Sequence, residues 1–341
     1  MQITELIKEL TAVHGTSGNE YPAAKCAERL LRPFCKRIET DRLGNLIAVV
    51  REPKENRPHV LLDAHIDQIG LVVTYIEENG FLRVAASGGV DIRLLCAAEV
   101  IVHGREDLFG VICTIPPHLQ KGEAKNLKCD DVYIDTGYTK EQLDGRVALG
   151  DTVTFRSAFT ELMGSTVKSG ALDDRAGCAA LIRAVQLTAD EELSCGVTVL
   201  LSTREELGCQ GSKTGSFAVS PTHAVAVDVS FGYTPDAPKE KCGTLGAGPM
   251  IGISPVLDRS IFEELKTLSE REGIPYQNEV MGGTTSTNAD SIAVCRAGVK
   301  TGLLSIPLKY MHTPVEVIDT RDVEHTAQLI AAYLKEVGRR G

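Results

Sequence analysis

An α/β domain interrupted by a small inserted β domain is the architecture that the sequence predicts, and three observations carry the prediction. Helix-like and strand-like periods alternate at the start of the 341-residue chain. Between about Gly70 and Phe155 the texture changes to short β-rich runs punctuated by Gly, Pro and Asn-Gly turns. After about Gly164 the helix–strand alternation returns. This order fits a mixed-sheet domain formed by residues 1–69 and 160–341, with a β-barrel-like insert at 70–159, better than two consecutive domains.

Taken in order, Ile3, Leu6, Ile7 and Leu10 recur at helical spacing, and Gly15 with Gly18 ends the pattern. A second helix is expected from Tyr21 to Phe34. IETDRLGNLIAVV and HVLLDAH then read as strands, with a Gly44-Asn45 turn inside the first. In the insert the strand candidates are LVVTYI, FLRVAA, EVIVHG, GVICTI and DTVTF, and no long helix is expected. The polar stretch PPHLQKGEAKNLKCDD reads as a mobile loop. Beyond it the sequence predicts a helix after Asp173, strands at VTVLLST and AVAVDVS, a helix from Ile261 to Glu272, and a strand at VKTGLLSIPL. In the final helix Val323, Ala327, Ile330, Leu334 and Val337 share one face.

Composition removes several function classes. A net charge of −10 without a long run of one sign argues against nucleic acid as a partner. No apolar stretch is long enough to span a bilayer, since LLDAHIDQIGLVV is broken by Asp63, His65 and Asp67. The first residues carry acids and lack the apolar core of a signal peptide. Ten cysteines are scattered from Cys26 to Cys295 with no C-x-x-C pair. Reduced thiols in a cytoplasmic protein are therefore expected, and neither a disulfide framework nor a zinc ribbon.

Metal-ligand side chains gather where strands are expected to end: His65 and Asp67 in LLDAHIDQIG, Asp173 and Asp174 in GALDDRAG, Glu205 and Glu206 in STREELG, Asp228 in AVAVDVS, and His312 in YMHTPVE. The carboxyl ends of strands form the ligand crevice of α/β sheets, so these residues can converge. A two-metal hydrolase needs a bridging carboxylate, one or two further ligands on each ion, and a free carboxylate beside the bridging water. Mixed histidine and carboxylate ligands suit zinc, cobalt or manganese better than calcium or magnesium. The His-x-Asp spacing puts His65 and Asp67 on one face of an extended strand, where Asp67 can accept the ring N–H and fix the tautomer. Adjacent Glu205 and Glu206 should diverge on an extended segment, one to bind metal and the other to act as base, a part assigned to Glu205. Each signal is weak singly; their number and their shared context give them weight.

These segments also carry a resemblance. From GTSGNE through AHIDQIG, GALDDRAG, TREELG, VDVSFG and SIPLKYMHTPVE, nearly the whole chain resembles the glutamyl and deblocking aminopeptidases, some of whose relatives are labelled endoglucanases and whose members form tetrahedral particles. The resemblance implies a phosphorylase/hydrolase-like catalytic domain acting on peptides. It implies that Asp173 bridges two divalent ions, that His65 and Asp228 complete one site, and that Glu206 and His312 complete the other. Glu205 would then be the general base and Asp67 the partner of His65. It further implies an often-cis Asp173–Asp174 peptide, a dimerisation role for the insert, and assembly of dimers into a hollow dodecamer. One departure is Asn288, in GGTTSTNADSIA near the family's substrate pocket, where an Asp is expected.

Other readings are weighed beside this one. A metal-dependent deacylase or carboxypeptidase could use the same scaffold. An endoglucanase would leave the histidines unexplained and lacks tryptophan for stacking on sugars. A scaffold protein that had lost its chemistry would not keep the whole set. Asp174 reads as structural, and Arg175 and Arg204 as ion-pair partners of nearby acids. His14, His59, His103, His118, His223 and His325 lack a companion at useful spacing and read as surface or packing residues, His14 with the least assurance because it adjoins GTSGNE. No Ser, Thr or Cys sits in a nucleophile context, and no glycine loop has the spacing of a phosphate or dinucleotide site.

Overall fold

The computed structural model describes residues 1–119 and 128–340; part of the stretch read as a mobile loop, 120–127, lies outside the described residues. A mixed sheet forms the body. Its order runs Arg37–Thr40, Leu46–Arg51, Gly196–Ser202, His59–His65, His223–Phe231, Lys300–Lys309, Glu316–Asp319, Thr166–Ser169 and Thr160–Glu161. Met250–Ile253 and Gln277–Val280 attach beside Lys300–Lys309. The four central strands, from Gly196–Ser202 to Lys300–Lys309, are parallel. Their burial on both faces accounts for the nearly continuous apolar runs in the sequence.

Alternation along these strands sorts the side chains to two faces. Val60, Leu62, Ala64, Val225, Val227, Val229, Leu304 and Ile306 join the main core under the helices Ile3–Thr11, Leu172–Leu187 and Thr320–Arg340. Leu61, Leu200 and Ala224 face the other way, towards the shorter helices Gln210–Val219 and Asn288–Ala293. By the same period His65, Ser202, Asp228 and Ser305 point to this second face. In register, Ser202 pairs with His65 and Asp228 with Ser305, so the four lie at one level near the carboxyl ends of the strands.

The helices begin and end close to the expected places. Ile3–Thr11 buries Ile3, Leu6, Ile7 and Leu10, and Thr320–Arg340 buries the predicted apolar face. The Tyr21 helix stops as an α-helix at Leu31 and finishes in a single tighter turn, Arg32–Phe34, where Pro33 cannot donate to the ladder. The predicted Ile261 helix starts at Arg259, because the Asp258 carboxylate caps it by accepting from the Ser260 and Ile261 amides.

Between Gly70 and Phe155 six strands close into an antiparallel barrel in the order Gly70–Ile76, Leu82–Ser87, Tyr133–Asp135, Asp107–Cys113, Glu99–His103 and Thr152–Phe155. Leu71, Val73, Val84, Val100, Val102, Ile112, Ile134 and Val153 fill its interior. Among the described residues of this stretch the α-helix is Lys140–Leu143, four residues long. No helix among the described residues is long and apolar enough to cross a membrane, and none of the ten cysteines is in a disulfide.

Candidate metal centre

His65 ends its strand, and its ring is fully enclosed. Nδ1 lies 3.1 Å from the Asp67 carbonyl and 3.5 Å from the Asp67 carboxylate. With Nδ1 turned to Asp67, Nε2 faces Asp173 Oδ1 at 3.0 Å and Asp228 Oδ1 at 3.8 Å. On the other side, His312 Nε2 is 3.4 Å from Asp173 Oδ2 and 3.4 Å from Glu206 Oε1. The two oxygens of one carboxylate, Asp173, thus face two different imidazoles. Asp228 sits three residues before the end of its strand rather than at the end, yet register places it level with His65.

The Asp67 carboxylate has a different principal task from the one its spacing suggested. It accepts the Ser17 hydroxyl at 2.6 Å, the Glu205 amide at 3.0 Å and the Glu206 amide at 3.3 Å. Asp67 therefore ties the segment GTSGNE to the loop of the paired glutamates. Glu205 in turn accepts the Cys209 thiol at Oε1, 3.3 Å away.

Asp173 and Asp174 are joined by a cis peptide and lie ahead of the regular part of their helix. Asp174 Oδ1 caps that helix by accepting the Gly177 amide at 3.0 Å. Its other oxygen has no hydrogen-bond partner among the described residues, and Asp174 can be grouped with His65 and Asp228 through ligand atoms within 4.8 Å of one another. Arg175 makes no ion pair among the described residues. It is fully buried and donates to the carbonyls of Ile66, Leu10 and Val13 at 2.8, 2.6 and 3.2 Å, holding the loop before Gly15 against the strand end. Arg204 makes no ion pair among the described residues, and its Nε is buried without a partner. Asn288 is buried and donates to Ser202 Oγ at 2.8 Å.

Two positioning groups were not foreseen. Glu316, buried four residues beyond His312, accepts the amides of Leu172 at 2.7 Å and Asp173 at 3.2 Å with one oxygen and that of His312 at 3.0 Å with the other. It fixes the backbone under both residues; the one hint in the sequence is an acid opening a strand whose other residues are largely buried. The second group comes from the barrel. His312 Nδ1 donates to the Gly89 carbonyl at 3.0 Å, which leaves Nε2 facing Asp173 and Glu206. A Cβ at Gly89 would lie 2.7 Å from His312 Nδ1, so this approach requires glycine. Gly89→Ala is expected to turn the imidazole away and weaken metal binding about 10–100-fold, the range seen on losing such an outer partner. Unchanged affinity in a metal titration would remove Gly89 from this role.

Charge concentrates here with no lysine or arginine paired to the cluster among the described residues. Burial raises Asp228, Glu205 and Glu206 above the ordinary carboxylate range. Burial also opposes ionisation of Asp173, but His312 and His65 outweigh it and hold that carboxyl below its usual range. Asp173 and Glu206 push His312 up to about 11. Among the described residues the recorded ion-pair partners of this cluster are histidines alone. Nitrogen and carboxylate donors crowded into one buried pocket, short of positive charge, fit divalent transition-metal ions.

The His312 shift gives a signed expectation. Its pairing stabilises the metal-free fold fully below the usual histidine value of 6.5 and is lost as pH rises through about 11. An ion held by His312 would displace that proton. Metal affinity should thus rise with pH across the neutral range, by about tenfold per unit for each proton displaced. Calorimetry in buffers of different ionisation heat should register the released protons, and a pH-independent affinity would contradict ligation by His312.

Comparison with known proteins identifies the family. Residues 44–329 match the family described as M42 glutamyl aminopeptidase. A lysyl aminopeptidase of Pyrococcus furiosus is 32% identical over 98% of this chain and 97% of its own. The solved structure of an aminopeptidase from the archaeon Desulfurococcus kamchatkensis superposes with a TM-score of 0.91 at 33% identity, over 98% of this chain and 94% of that one. The TET1 peptidase of Pyrococcus horikoshii, described as assembling into a tetrahedron or a large octahedral shell, superposes with a TM-score of 0.86 at 33% identity, over 98% of this chain and 100% of that one. Profile, end-to-end relatives and fold agree: the chain belongs to the M42 glutamyl aminopeptidase family of hydrolases.

Proposed function

We propose that the protein removes N-terminal residues from peptides at a two-ion centre in which His65, Asp173 and Asp228 hold one divalent ion and Asp173, Glu206 and His312 hold the other. The observation that carries the reading is Asp173, whose two oxygens face His65 and His312 separately. Zinc or cobalt fits the donor set best, with manganese as a further candidate. When bound, such ions supply Lewis acidity and a water acidified towards neutral pH.

The chain's own residues do the rest. His65 and His312 are fixed at Nδ1 by Asp67 and by the Gly89 carbonyl, which leaves their Nε2 atoms as the ones that would hold the ions. Glu205, whose Oε1 is engaged by Cys209, takes the water's proton on Oε2 and passes it to the departing amine. Burial raises its pKa, which makes it a stronger base than an exposed glutamate. Asp67 positions Glu205 and Glu206 through their amides. A glycosidase pair would flank a sugar from two sides, whereas Glu205 and Glu206 share one anchor and Glu206 is committed to His312.

In this reading residues 1–69 and 160–341 form the catalytic domain, and the insert at 70–159 mediates dimerisation, with dimers building a dodecamer. Support comes from apolar side chains exposed on the barrel, Tyr75, Phe109 and Leu149 among them. It also comes from the shells described for the TET1 peptidase. Free cysteines suit a cytoplasmic location.

The test is hydrolysis of a panel of aminoacyl-p-nitroanilides by chelator-stripped protein, before and after addition of zinc, cobalt or manganese. Metal-restored cleavage is the expected result, and the rank of substrates identifies the preferred N-terminal residue. A metal-loaded protein that cleaves none of them would overturn the reading.

A further inference from the structure

Away from this centre, at the seam between barrel and sheet domain, the structure brings His14 to a pair of barrel residues distant from it in sequence, His103 and Asp107. His14 follows the first helix, while His103 and Asp107 lie on the hairpin Glu99–His103 and Asp107–Cys113 of the barrel. The His14 and His103 rings stack with centroids 3.7 Å apart and planes 13° from parallel. His103 Nε2 meets Thr154 Oγ1 at 2.8 Å, and His103 Nδ1 meets Asp107 Oδ1 at 2.8 Å. His14 Nδ1 is buried and has no hydrogen-bond partner among the described residues.

We propose that His14, His103 and Asp107 form a further binding site for a zinc-like divalent ion, which fastens the barrel to the sheet domain. One ligand atom from each lies within 4.8 Å of the others. Two nitrogens and a carboxylate oxygen are a zinc-type set, with a fourth position left for water. The Asp107–His103 separation of 2.8 Å is already near the roughly 3.3 Å edge between two ligands about 2.0 Å from a tetrahedral ion. Thr154 acts as the outer partner that orients His103. The His14 ring must swing out of the stack to aim Nδ1 at the ion, which ends that atom's isolation. Burial, reinforced by neighbouring His103, keeps His14 in the neutral form that a metal requires. Asp107 is 65% exposed and the three residues line one open groove, so an ion has a path in. That groove shares Gln68, Phe155, Gly170 and Ala171 with the pocket over Asp173 and His312. An ion at the seam would therefore stiffen a wall of the reaction site without touching it.

The experiment is a zinc count by mass spectrometry on the full chain after dialysis, for wild type, Asp107→Ala and His14→Ala, with circular dichroism to confirm folding. Three ions per chain in wild type and two in each variant is the expected result. One ion in wild type that vanishes in Asp107→Ala would uphold the seam site while counting against the two-ion centre. Two ions in wild type, unchanged in Asp107→Ala, would overturn the proposal. A check free of variants is the zinc anomalous map of wild-type crystals, which should show a peak among His14, His103 and Asp107; the absence of that peak at full zinc loading would overturn it equally.

Discussion

Glu205→Gln should retain both ions and lose turnover by about 10²–10⁴-fold, the range a positioned acid–base group contributes. Three features make this substitution clean. Glu205 makes no ion pair with His65 or His312 among the described residues, so losing its charge leaves the ligand set intact. Its amide, which Asp67 holds at 3.0 Å, is unaffected by the side-chain change. Glutamine keeps an oxygen for the Cys209 thiol that now engages Oε1 at 3.3 Å. What disappears is the ability to take a proton. The loss should fall on kcat more than on KM, because the base acts on water and not on substrate binding. Metal content and steady-state kinetics on one preparation check both halves, and full activity would take Glu205 out of the mechanism.

Asp173→Asn should have the larger effect. An asparagine of the same shape can present one oxygen, and whichever way its amide turns, an NH₂ group faces His65 or His312 where a carboxylate oxygen now lies 3.0 or 3.4 Å away. At least one ion should be lost, and activity should fall by more than about 10⁴-fold, beyond what removal of a base accounts for. The substitution also removes the buried partner that His65 and His312 share, so the metal-free variant should be less stable than wild-type apoprotein. A metal count equal to that of wild type, with activity intact, would refute the bridging role.

The contrast between these variants shows which parts of the site were legible in sequence. The gathering of candidate ligands was, because His, Asp and Glu beside buried β-runs have few structural reasons to be there. His65, Asp228 and His312 could be placed because parallel strands bring their carboxyl ends to one edge. Supports were not. Glu316 acts through three backbone amides, Arg175 through three carbonyls and Gly89 through its own carbonyl and lack of a side chain. Such roles depend on which backbone comes near, and spacing does not encode that. Asp67 was placed correctly beside His65, but its grip on Ser17 and on the two glutamate amides needed the fold.

Secondary structure divides in the same way. Strongly periodic elements such as the first and last helices were readable because one face is buried along their length. The helices Gln210–Val219 and Asn288–Ala293 were missed. Gln210–Val219 holds Gly211 and Gly215 and several hydroxyl residues, poor helix formers in isolation. Its glycines answer to packing: a Cβ at Gly215 would lie 2.7 Å from Leu200, and one at Gly211 would lie 2.2 Å from Asn45 Oδ1. Close approach to the sheet here outweighs propensity. Tyr133–Asp135 was missed for want of length, since three residues show no period, and its place is fixed by closure of the barrel.

The central claim is that one carboxylate organises two ions. Anomalous diffraction at the zinc edge, on crystals of zinc-loaded protein, tests it most directly. Within the cluster around Asp173, two peaks about 3.5–4 Å apart are predicted, one beside Asp173 Oδ1 with His65 and Asp228, the other beside Asp173 Oδ2 with Glu206 and His312. A single peak, or two peaks that leave Asp173 unligated, would contradict the account.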